Sequence, residues 1–318
     1  MKVLFTGCTF DENTLYQLKE KNIEVSTGRM DYSEEELTNI LKDYDCSING
    51  GDEICTVNVI ENNQHLKLIS FMGTGYQKYI DVETAKKYNI PVTYTPSANA
   101  KAVAEYTVAL ILDAVKKITY SNNEVKNKEW NKIKNYNLEG KTLGIVGMGA
   151  IGTHIAKILC DGFGMKLIYN SRESKPNIDS KYNTNMVSLN DVFKNADVIS
   201  VNATYTEENI NMIGKEQLNL VNENTILVNT ARQELINKED LYNSIINNKI
   251  GFVALDGFYK EPITKETNEK FLDLPNNKFL LTPHNAYNSF DAVKEMERML
   301  IESLMDIIDG NDVRNLVK

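Results

Sequence analysis

Short apolar segments rich in β-branched residues alternate with helix-forming segments along this chain. The first apolar set covers residues 2–6, 23–26, 46–49, 66–71 and 92–95. Helix-forming stretches separate them at residues 12–21, 34–43 and 82–88, and Ser33 and Glu36 have the spacing of a capping box. Strands with helices on both faces are buried and parallel. The pattern therefore predicts an α/β fold with a parallel sheet of about five strands.

A second set of apolar segments begins after residue 140. It covers residues 142–146, 166–169, 198–201, 226–229, 251–255 and 279–281. Helix-forming segments again lie between them. Six such strands are the number found in a full dinucleotide-binding fold, so the sequence predicts a second parallel sheet.

Two long segments that are apolar on one face suggest how the sheets are connected. Residues 99–117 form the first and residues 289–310 the second. The second follows all predicted strands, so we expect the chain to return to its first domain at the end. The predicted domains are residues 1–98 with 289–318, and residues 99–288. Residues 121–139 are polar and rich in Asn and Lys, and we expect a loop there with Trp130 as its apolar anchor.

Composition excludes several classes of protein. The 318 residues are 42% hydrophobic and 25% charged, as in soluble globular proteins. There are 35 Lys and Arg against 44 Asp and Glu, a formal net charge of −9, which argues against nucleic acid or an anionic membrane as the main partner. No apolar run has the length of a membrane span, and the N-terminal residues lack the pattern of a signal peptide. We expect a cytoplasmic protein.

Cysteine and histidine are scarce. The four cysteines have no CxxC spacing and no histidine at metal-ligand spacing, so we expect reduced thiols and no metal site. Only His65, His154 and His284 offer imidazole, the side chain that titrates near neutral pH. His65 and His154 lie in contexts that favour structural or surface roles.

The glycines Gly147, Gly149 and Gly152 form a GxGxxG pattern between a predicted strand and a predicted helix. The first glycine permits a tight turn, the second lets the backbone approach a pyrophosphate, and the third lets the helix pack on the sheet. The helix N-terminus then faces the phosphates. This context predicts a dinucleotide-binding turn.

The residues after the next strand, Asn170, Ser171 and Arg172, should contact the adenosine ribose. An acidic residue there favours NAD, whereas an arginine accommodates the 2′-phosphate of NADP. No acid is present, and Lys175 adds a second cation nearby. We predict NADP as the cofactor. NAD is the alternative, because Asn is frequent throughout this chain and Asn170 could reflect that bias.

Three further segments place ionisable side chains just past predicted strands. Residues 226–232 end in Arg232, residues 254–262 contain Asp256 and Glu261, and residues 281–286 contain His284. Ligands of open α/β sheets bind at the carboxyl ends of the strands. An arginine, carboxylates and a histidine are therefore expected at one edge of the second sheet.

With these residues the chain resembles the D-isomer-specific 2-hydroxyacid dehydrogenases. The resemblance covers nearly the whole chain, is closest from residue 140 to residue 286, and includes the segment Val103-Ala104-Glu105. It implies a Rossmann nucleotide-binding domain inserted into a flavodoxin-like substrate domain, both with parallel sheets and with the active site in the cleft between them. It also implies a homodimer.

The resemblance implies a role for each matching residue. His284 would be the general acid that protonates the substrate carbonyl, Glu261 would orient and charge the imidazole, and Arg232 would hold the substrate anion. Asp256 would contact the nicotinamide carboxamide. The remaining expected cofactor contacts are Gly147, Gly149, Ala150, Ile151, Gly152, Asn170, Ser171, Arg172, Ala203, Thr204, Thr230, Ala231 and Ala286. The expected substrate contacts in the first domain are Gly51, Gly73, Thr74 and Gly75.

This sequence departs from the family pattern at three places. The substrate loop continues as Gln77-Lys78-Tyr79 instead of Asp-Asn, Thr204 replaces a proline, and Gln233 replaces the glycine after the arginine. The first departure obscures which acid is used.

We predict an oxidoreductase that transfers a hydride between NAD(P)H and a small 2-oxo acid or D-2-hydroxy acid. One alternative is a nucleotide-gated protein-binding scaffold of the same fold. The other is a related NAD-dependent dehydrogenase of another small anion.

Overall fold

The structure is a computed structural model that describes residues 1–317. The described chain forms two compact units. The first unit contains residues 1–99 and the segment from Ser289 onward, and the second unit contains residues 100–288. The units divide one residue after the first predicted domain boundary and at the second one.

The first unit contains a five-stranded parallel sheet within the described residues. The strands follow the order β2-β1-β3-β4-β5, which is the flavodoxin-like order. The order reverses between β1 and β3, and ligands bind such sheets at this point. The strands are β1 (Lys2–Thr6), β2 (Glu24–Gly28), β3 (Cys46–Asn49), β4 (Leu68–Phe71) and β5 (Val92–Tyr94).

Helices with side-chain caps connect these strands. Asp11, Ser33, Thr56 and Asp81 each accept a hydrogen bond from the first turn of the helix that follows, and Ser33 with Glu36 forms the predicted capping box. The helices are α1 (Glu12–Glu20), α2 (Glu34–Ile40), α3 (Val57–Glu61) and α4 (Val82–Lys87).

The second unit contains a six-stranded parallel sheet within the described residues, in the order β11-β10-β9-β8-β6-β7. Met186 pairs with Tyr169 of β7 through a single bridge. This bridge lies on the outer side of β7, where the Rossmann order 3-2-1-4-5-6, numbered within that fold, has its third strand. In this chain that third strand is reduced to one residue pair. The strands are β6 (Thr142–Val146), β7 (Lys166–Asn170), β8 (Val198–Val201), β9 (Ile226–Asn229), β10 (Phe252–Asp256) and β11 (Phe279–Thr282).

Helices cover both faces of this sheet, and the helix that begins at Ala150 continues as a π-helix over Lys157–Gly162. Short 3₁₀ helices also occur in both units at Leu41–Asp43, Tyr76–Lys78, Glu207–Asn209, Gln233–Leu235 and Lys270–Asp273. The α-helices of the second unit are α5 (Ala100–Lys116), α6 (Ile118–Lys126), α7 (Ala150–Ala156), α8 (Pro176–Tyr182), α9 (Leu189–Asn195), α10 (Lys215–Leu218) and α11 (Lys238–Ile246).

Helix α6 corrects the loop predicted for residues 121–139 over residues 121–126, whereas residues 127–139 contain neither helix nor strand, as predicted. Lys117 has a left-handed backbone that ends α5, and the Asp113 carboxylate accepts a hydrogen bond from the Thr119 amide as α6 begins. Helix α6 buries no side chain and is mostly polar, which is why its residues were assigned to the loop. The prediction that Trp130 anchors this segment is also wrong, because its side chain is 83% exposed.

The last helix, α12 (Phe290–Asp309), belongs to the first unit. Ser289 caps its N-terminus and Gly310, in the left-handed conformation, ends it. Its buried Leu300 and Leu304 pack in one core cluster with Val3 and Phe5 of β1. None of the helices within residues 1–317 is long and apolar enough to cross a bilayer.

Candidate active site

His284 follows β11 and lies at the carboxyl end of the second sheet. Its backbone is in the left-handed region, with φ of 53°, and its amide donates to the Thr282 carbonyl. The Nδ1 atom is 3.0 Å from Glu261 Oε2, so this nitrogen donates to the carboxylate. Because Nδ1 is occupied by this bond, Nε2 on the opposite side of the ring is the atom that can contact a ligand.

Glu261 is held by two donors. Its Oε2 accepts from His284, and its Oε1 accepts from the Phe258 amide at 2.6 Å. Burial alone raises the pKa of this carboxyl, but the hydrogen bond and charge of His284, the Phe258 amide and the charge of Arg232 outweigh it and lower the pKa. Glu261 is therefore an ionised partner for the imidazole at neutral pH.

Arg232 follows β9 and reaches the same point from another strand. Its Nη1 lies 3.3 Å from His284 Nε2 and donates to it when the ring is neutral. When Nε2 carries a proton, both nitrogens become donors. A carbonyl oxygen placed between them would then accept two hydrogen bonds, one of them from a permanent cation.

Gly257 allows the Glu261–His284 pair to sit this close to β10. A Cβ atom on this residue would lie 2.4 Å from Glu261 Oε1 and 3.4 Å from the His284 ring, and its φ is 91°. Any larger residue would displace the carboxylate and strain the backbone. The sequence prediction did not include Gly257, although its position between Asp256 and Glu261 was a usable signal.

Gln233 is a second residue that the prediction missed as a site residue. Its side chain is buried, donates to the Asp256 carbonyl at 2.9 Å and accepts from Asn229 Nδ2 at 2.9 Å. Asn229 Nδ2 also donates to the Arg232 carbonyl. Gln233 thus joins the ends of β9 and β10 beside Arg232, where the family pattern has glycine.

Asp256 is almost fully buried, with 1% of its surface exposed. Its Oδ1 accepts from the Thr282 hydroxyl and the Asn285 amide, and its Oδ2 accepts from the Ala286 amide. These bonds fix both sides of the loop that carries His284. The expected contact between Asp256 and a nicotinamide stays a prediction.

The glycine turn has the shape that a pyrophosphate requires. Gly147, with φ of 99°, lies so close to the Ala203 amide that a Cβ atom would be 2.5 Å from it. Nothing lies within 4 Å of the Cβ position of Gly149, and no side chain caps α7 there. The uncapped backbone amides of Ala150 and Ile151 at the start of α7 therefore face open space. This arrangement fits the phosphates of a dinucleotide.

Beyond β7, the predicted ribose-binding residues differ in their surroundings. Asn170 Nδ2 donates to the Val187 carbonyl, so this amide is committed to the fold. Ser171 is half-buried and Arg172 is exposed. Within residues 1–317, Arg172 forms no ion pair and its guanidinium can meet an anion.

The other predicted cofactor residues of the second unit lie at the carboxyl ends of its strands. Ala203 and Thr204 follow β8, Thr230 and Ala231 follow β9, and Ala286 follows β11. The Thr230 hydroxyl lies 2.8 Å from the Thr107 hydroxyl of α5, and the Ala231 amide donates to Asn229 Oδ1. Strand ends from one sheet edge thus bring these residues together with Arg232 and His284.

Comparison with known proteins identifies the family. The sequence profile of the D-isomer specific 2-hydroxyacid dehydrogenase NAD binding domain matches residues 108–286, which is more than half of the chain. The chain belongs to the D-isomer-specific 2-hydroxyacid dehydrogenases. The predicted family, the Rossmann and flavodoxin-like fold and the enzyme class are confirmed. A 2-hydroxyacid dehydrogenase of this kind uses a nicotinamide cofactor and transfers hydride to or from a 2-oxo or 2-hydroxy acid.

Individual relatives of this 2-hydroxyacid dehydrogenase agree with that assignment. It is 32% identical to the hydroxypyruvate reductase of Thermotoga maritima over 92% of this chain and 94% of the relative. It is 34% identical to the glyoxylate reductase of Thermococcus litoralis over 81% of this chain and 79% of the relative. The crystal structure of the TT0316 protein of Thermus thermophilus superposes with a TM-score of 0.89 at 28% identity and full coverage of both chains.

The predicted substrate residues of this 2-hydroxyacid dehydrogenase lie in its first unit. Gly51 follows β3, and Gly73, Thr74 and Gly75 follow β4. These are neighbouring strands of the first sheet, so both loops lie at its carboxyl end. Asp81, after the divergent Gln77–Tyr79 segment, caps α4.

Within the described residues, no group of three or more His, Cys, Asp or Glu side chains could hold a metal ion.

Proposed function

We propose that this chain reduces a small, unbranched 2-oxo acid of the glyoxylate or hydroxypyruvate type. The observation that carries the proposal is the convergence of Arg232 Nη1 and His284 Nε2, with Glu261 bound to the far side of the imidazole. Such a pair of donors matches a carbonyl oxygen that gains negative charge. The names of the two reductase relatives support this substrate class.

The proposed mechanism assigns one task to each side chain. Arg232 binds the substrate anion and directs its carbonyl oxygen toward His284. His284 Nε2 donates a proton to that oxygen, and Glu261 stabilises the protonated ring and holds its orientation. A nicotinamide cofactor, when bound, would supply the hydride that the carbonyl carbon accepts. Asp256 keeps the His284 loop in place and is the residue we assign to the nicotinamide carboxamide.

The proposed cofactor is NADPH. Gly147, Gly149, Ala150, Ile151 and Gly152 would hold the pyrophosphate. Exposed Arg172 supports a contact to the 2′-phosphate, because it forms no ion pair within residues 1–317 and no acidic residue follows β7 directly. Because the Asn170 side-chain amide is bound to the Val187 carbonyl, Ser171 and Arg172 are the residues that would discriminate NADPH from NADH.

A panel of 2-oxo acids assayed with NADPH and with NADH tests the proposal. We expect the highest kcat/KM for glyoxylate or hydroxypyruvate with NADPH. The Arg172→Ala variant should lose about tenfold in kcat/KM for NADPH, the effect of one lost charge-assisted hydrogen bond, and should keep its value for NADH. No turnover of any 2-oxo acid would overturn the substrate class, and a preference for NADH would overturn the cofactor choice.

We also propose that the enzyme is a cytoplasmic homodimer. Ile118, Val125, Trp130 and Tyr136 expose apolar side chains along one short segment, which supports association with a second copy. The four free cysteines suit a reducing compartment. Light scattering after size exclusion should give twice the mass of the chain, and the Trp130→Glu variant should give the mass of a monomer.

A further inference from the structure

Glu53 is a buried acid that the proposed mechanism does not use. It follows β3 in the first unit, close to the reversal of strand order between β1 and β3. Only 1% of its surface is exposed. Oε1 shares a hydrogen bond with the Thr6 hydroxyl, and Oε2 has no hydrogen-bond partner within the described residues.

Thr6 connects Glu53 to the backbone of the neighbouring turn. The Thr6 hydroxyl, fully buried at the end of β1, accepts from the Gly50 amide at 3.2 Å and lies 3.2 Å from the Ile48 carbonyl. A hydroxyl donates one proton. If Glu53 is neutral, its own proton can go to Thr6, and Thr6 can donate to Ile48. If Glu53 is ionised, Thr6 must donate to Glu53, and the Ile48 carbonyl loses that donor.

Oε2 of Glu53 lies against the turn itself. A Cβ atom on Gly51 would be 2.5 Å from this oxygen and 2.5 Å from the Met30 carbonyl. Gly51 therefore fits only because it lacks a side chain. The Asp52 amide donates to the Met30 carbonyl and closes the turn on that side. The Glu53 carboxyl therefore packs directly against Gly51, and a shift of the carboxyl toward the turn would displace Gly51.

The surroundings of Glu53 favour its neutral form. Burial raises its pKa to about 7, against smaller opposing effects of the Thr6 hydroxyl and the backbone amides of Glu53 and Gly51. The other titratable groups that act on it are acids: Asp52 raises its pKa, and it interacts with the buried Cys55 thiol. Among the largest effects on this pKa, none comes from a cation of the described residues.

We propose that Glu53 and Thr6 are positioning residues for the Gly50–Gly51 turn, and that loss of the Glu53 proton loosens this turn and weakens binding of the substrate anion. Ionisation would place part of the charge on the buried Oε2, which has no hydrogen-bond partner within the described residues, and this is costly. The turn would open to water in response. The second half of the inference rests on the proposed function, because it takes Gly51 as a substrate contact.

Selective isotope labelling tests the first half without any substrate. Asn49–Gly50 is the only Asn-Gly pair in the sequence and Gly50–Gly51 the only Gly-Gly pair. Carbonyl-labelled Asn or Gly combined with ¹⁵N-Gly therefore identifies both amide signals. We expect both to titrate with one midpoint near pH 7 in the wild type and to stay fixed in Glu53→Gln, which mimics the neutral acid. Signals that do not titrate in the wild type, or titrate equally in Glu53→Gln, would overturn the proposal.

Two further variants separate positioning from folding. Thr6→Ser keeps the hydroxyl and should retain the titration of the Gly50 amide, whereas Thr6→Val removes it and should abolish the coupling. Glu20→Gln on α1 changes an exposed acid of the same unit and should titrate as the wild type does. If the Gly50 amide still titrates with Glu53 in a folded Thr6→Val protein, Thr6 is not a positioning residue.

Kinetics test the second half. We expect the wild-type KM for the preferred 2-oxo acid to rise about fivefold more between pH 6 and pH 8 than the KM of Glu53→Gln, the change over this range that one unit of pKa difference between free and bound enzyme produces. The pH dependence of kcat should be the same in both. Equal KM profiles with titrating amides would overturn the link to substrate and leave the turn mechanism standing. An enzyme inactive on every 2-oxo acid would refute the proposed function, and the amide signals would still decide the role of Glu53.

Discussion

Glu261 in the second unit and Glu53 in the first unit both follow strands at the carboxyl end of a parallel sheet, but their pKa values shift in opposite directions. Burial raises the pKa of both carboxyls. At Glu261 the hydrogen bond and charge of His284, helped by Arg232, reverse the effect. At Glu53 only a hydroxyl and backbone amides oppose burial, and the pKa stays near 7.

The difference shows that the partner, and not the position in the fold, decides the charge of a strand-end carboxyl. Glu261 is one third exposed and paired with an imidazole, so it can stabilise a proton on that ring. Glu53 is buried without a cation, so it is itself a proton donor and acceptor near neutral pH. Substitutions at five positions, His284, Arg232, Glu53, Glu261 and Gln233, challenge or refine this contrast.

The largest effect is expected from His284→Ala. This substitution removes the proposed general acid, and it also removes the partner that lowers the pKa of Glu261. We expect kcat to fall by about 10²- to 10⁴-fold, the usual contribution of general acid catalysis. The Kd for NADPH, measured by fluorescence titration, should change little. His154→Ala is the matched control and should retain kcat. Full activity in His284→Ala would refute the assignment of the acid.

Arg232→Lys should have the next largest effect. Lysine keeps the charge but loses the planar fork, so one charge-assisted hydrogen bond to the substrate is lost. At about 2 kcal/mol this corresponds to a roughly 30-fold lower kcat/KM, with KM raised and kcat lowered together. Steady-state kinetics with the preferred 2-oxo acid measure it. An unchanged KM would mean that Arg232 does not bind the substrate anion.

Thermal unfolding across pH tests the two carboxyls directly. The pKa of Glu53 is raised from 4.5 to about 7 in the folded protein, so its stabilisation is present at acidic pH and is lost as the pH rises through about 7. Relative to Glu53→Gln, the wild type should lose about 3 kcal/mol of unfolding free energy between pH 4.5 and pH 7.5.

Glu261 should give the opposite slope. Its pKa is lowered from 4.5, so its stabilisation is present above 4.5 and is lost as the pH falls through the folded value. The wild type should therefore lose stability relative to Glu261→Gln only below pH 4.5. Slopes of the same sign for both variants would contradict the contrast between the two glutamates.

Gln233→Gly should have the smallest effect and refines the description of the second site. It restores the residue typical of the family and removes the bridge between Asn229 and the Asp256 carbonyl. A net loss of about 1 kcal/mol in positioning lowers kcat/KM about fivefold. Gln233→Glu keeps the length of the side chain and should lower it further, because its carboxylate cannot donate to Asp256. An unchanged kcat/KM in both variants would show that Arg232 is positioned without Gln233.

Local patterns predicted much of the fold. Apolar runs and the spacing of Ser33 and Glu36 are properties of neighbouring residues, and the two parallel sheets and the capping box were found from them. Helix α6 was missed because it buries nothing, and the single bridge at Met186 is too short to produce a strand pattern.

The site residues could be predicted from the sequence only where an ionisable side chain directly follows a predicted strand. Arg232, Glu261 and His284 follow predicted strands, and the structure brings them together. Thr6 and Glu53 are 47 residues apart, and their contact depends on β1 pairing with β3. Gln233 was visible as a departure from a pattern, but its two partners could be known only from the register of β9 and β10.

The position of α12 has a consequence for how the chain is made. Residues of β1 leave the ribosome before the second unit does, but Leu300 and Leu304, which complete their core, leave it after the second unit. The second unit is continuous in sequence and has its own core, so it can fold while translation is still under way. The first unit must hold an unfinished core until α12 has been made, and we expect chaperones to bind nascent chains that are stalled before α12.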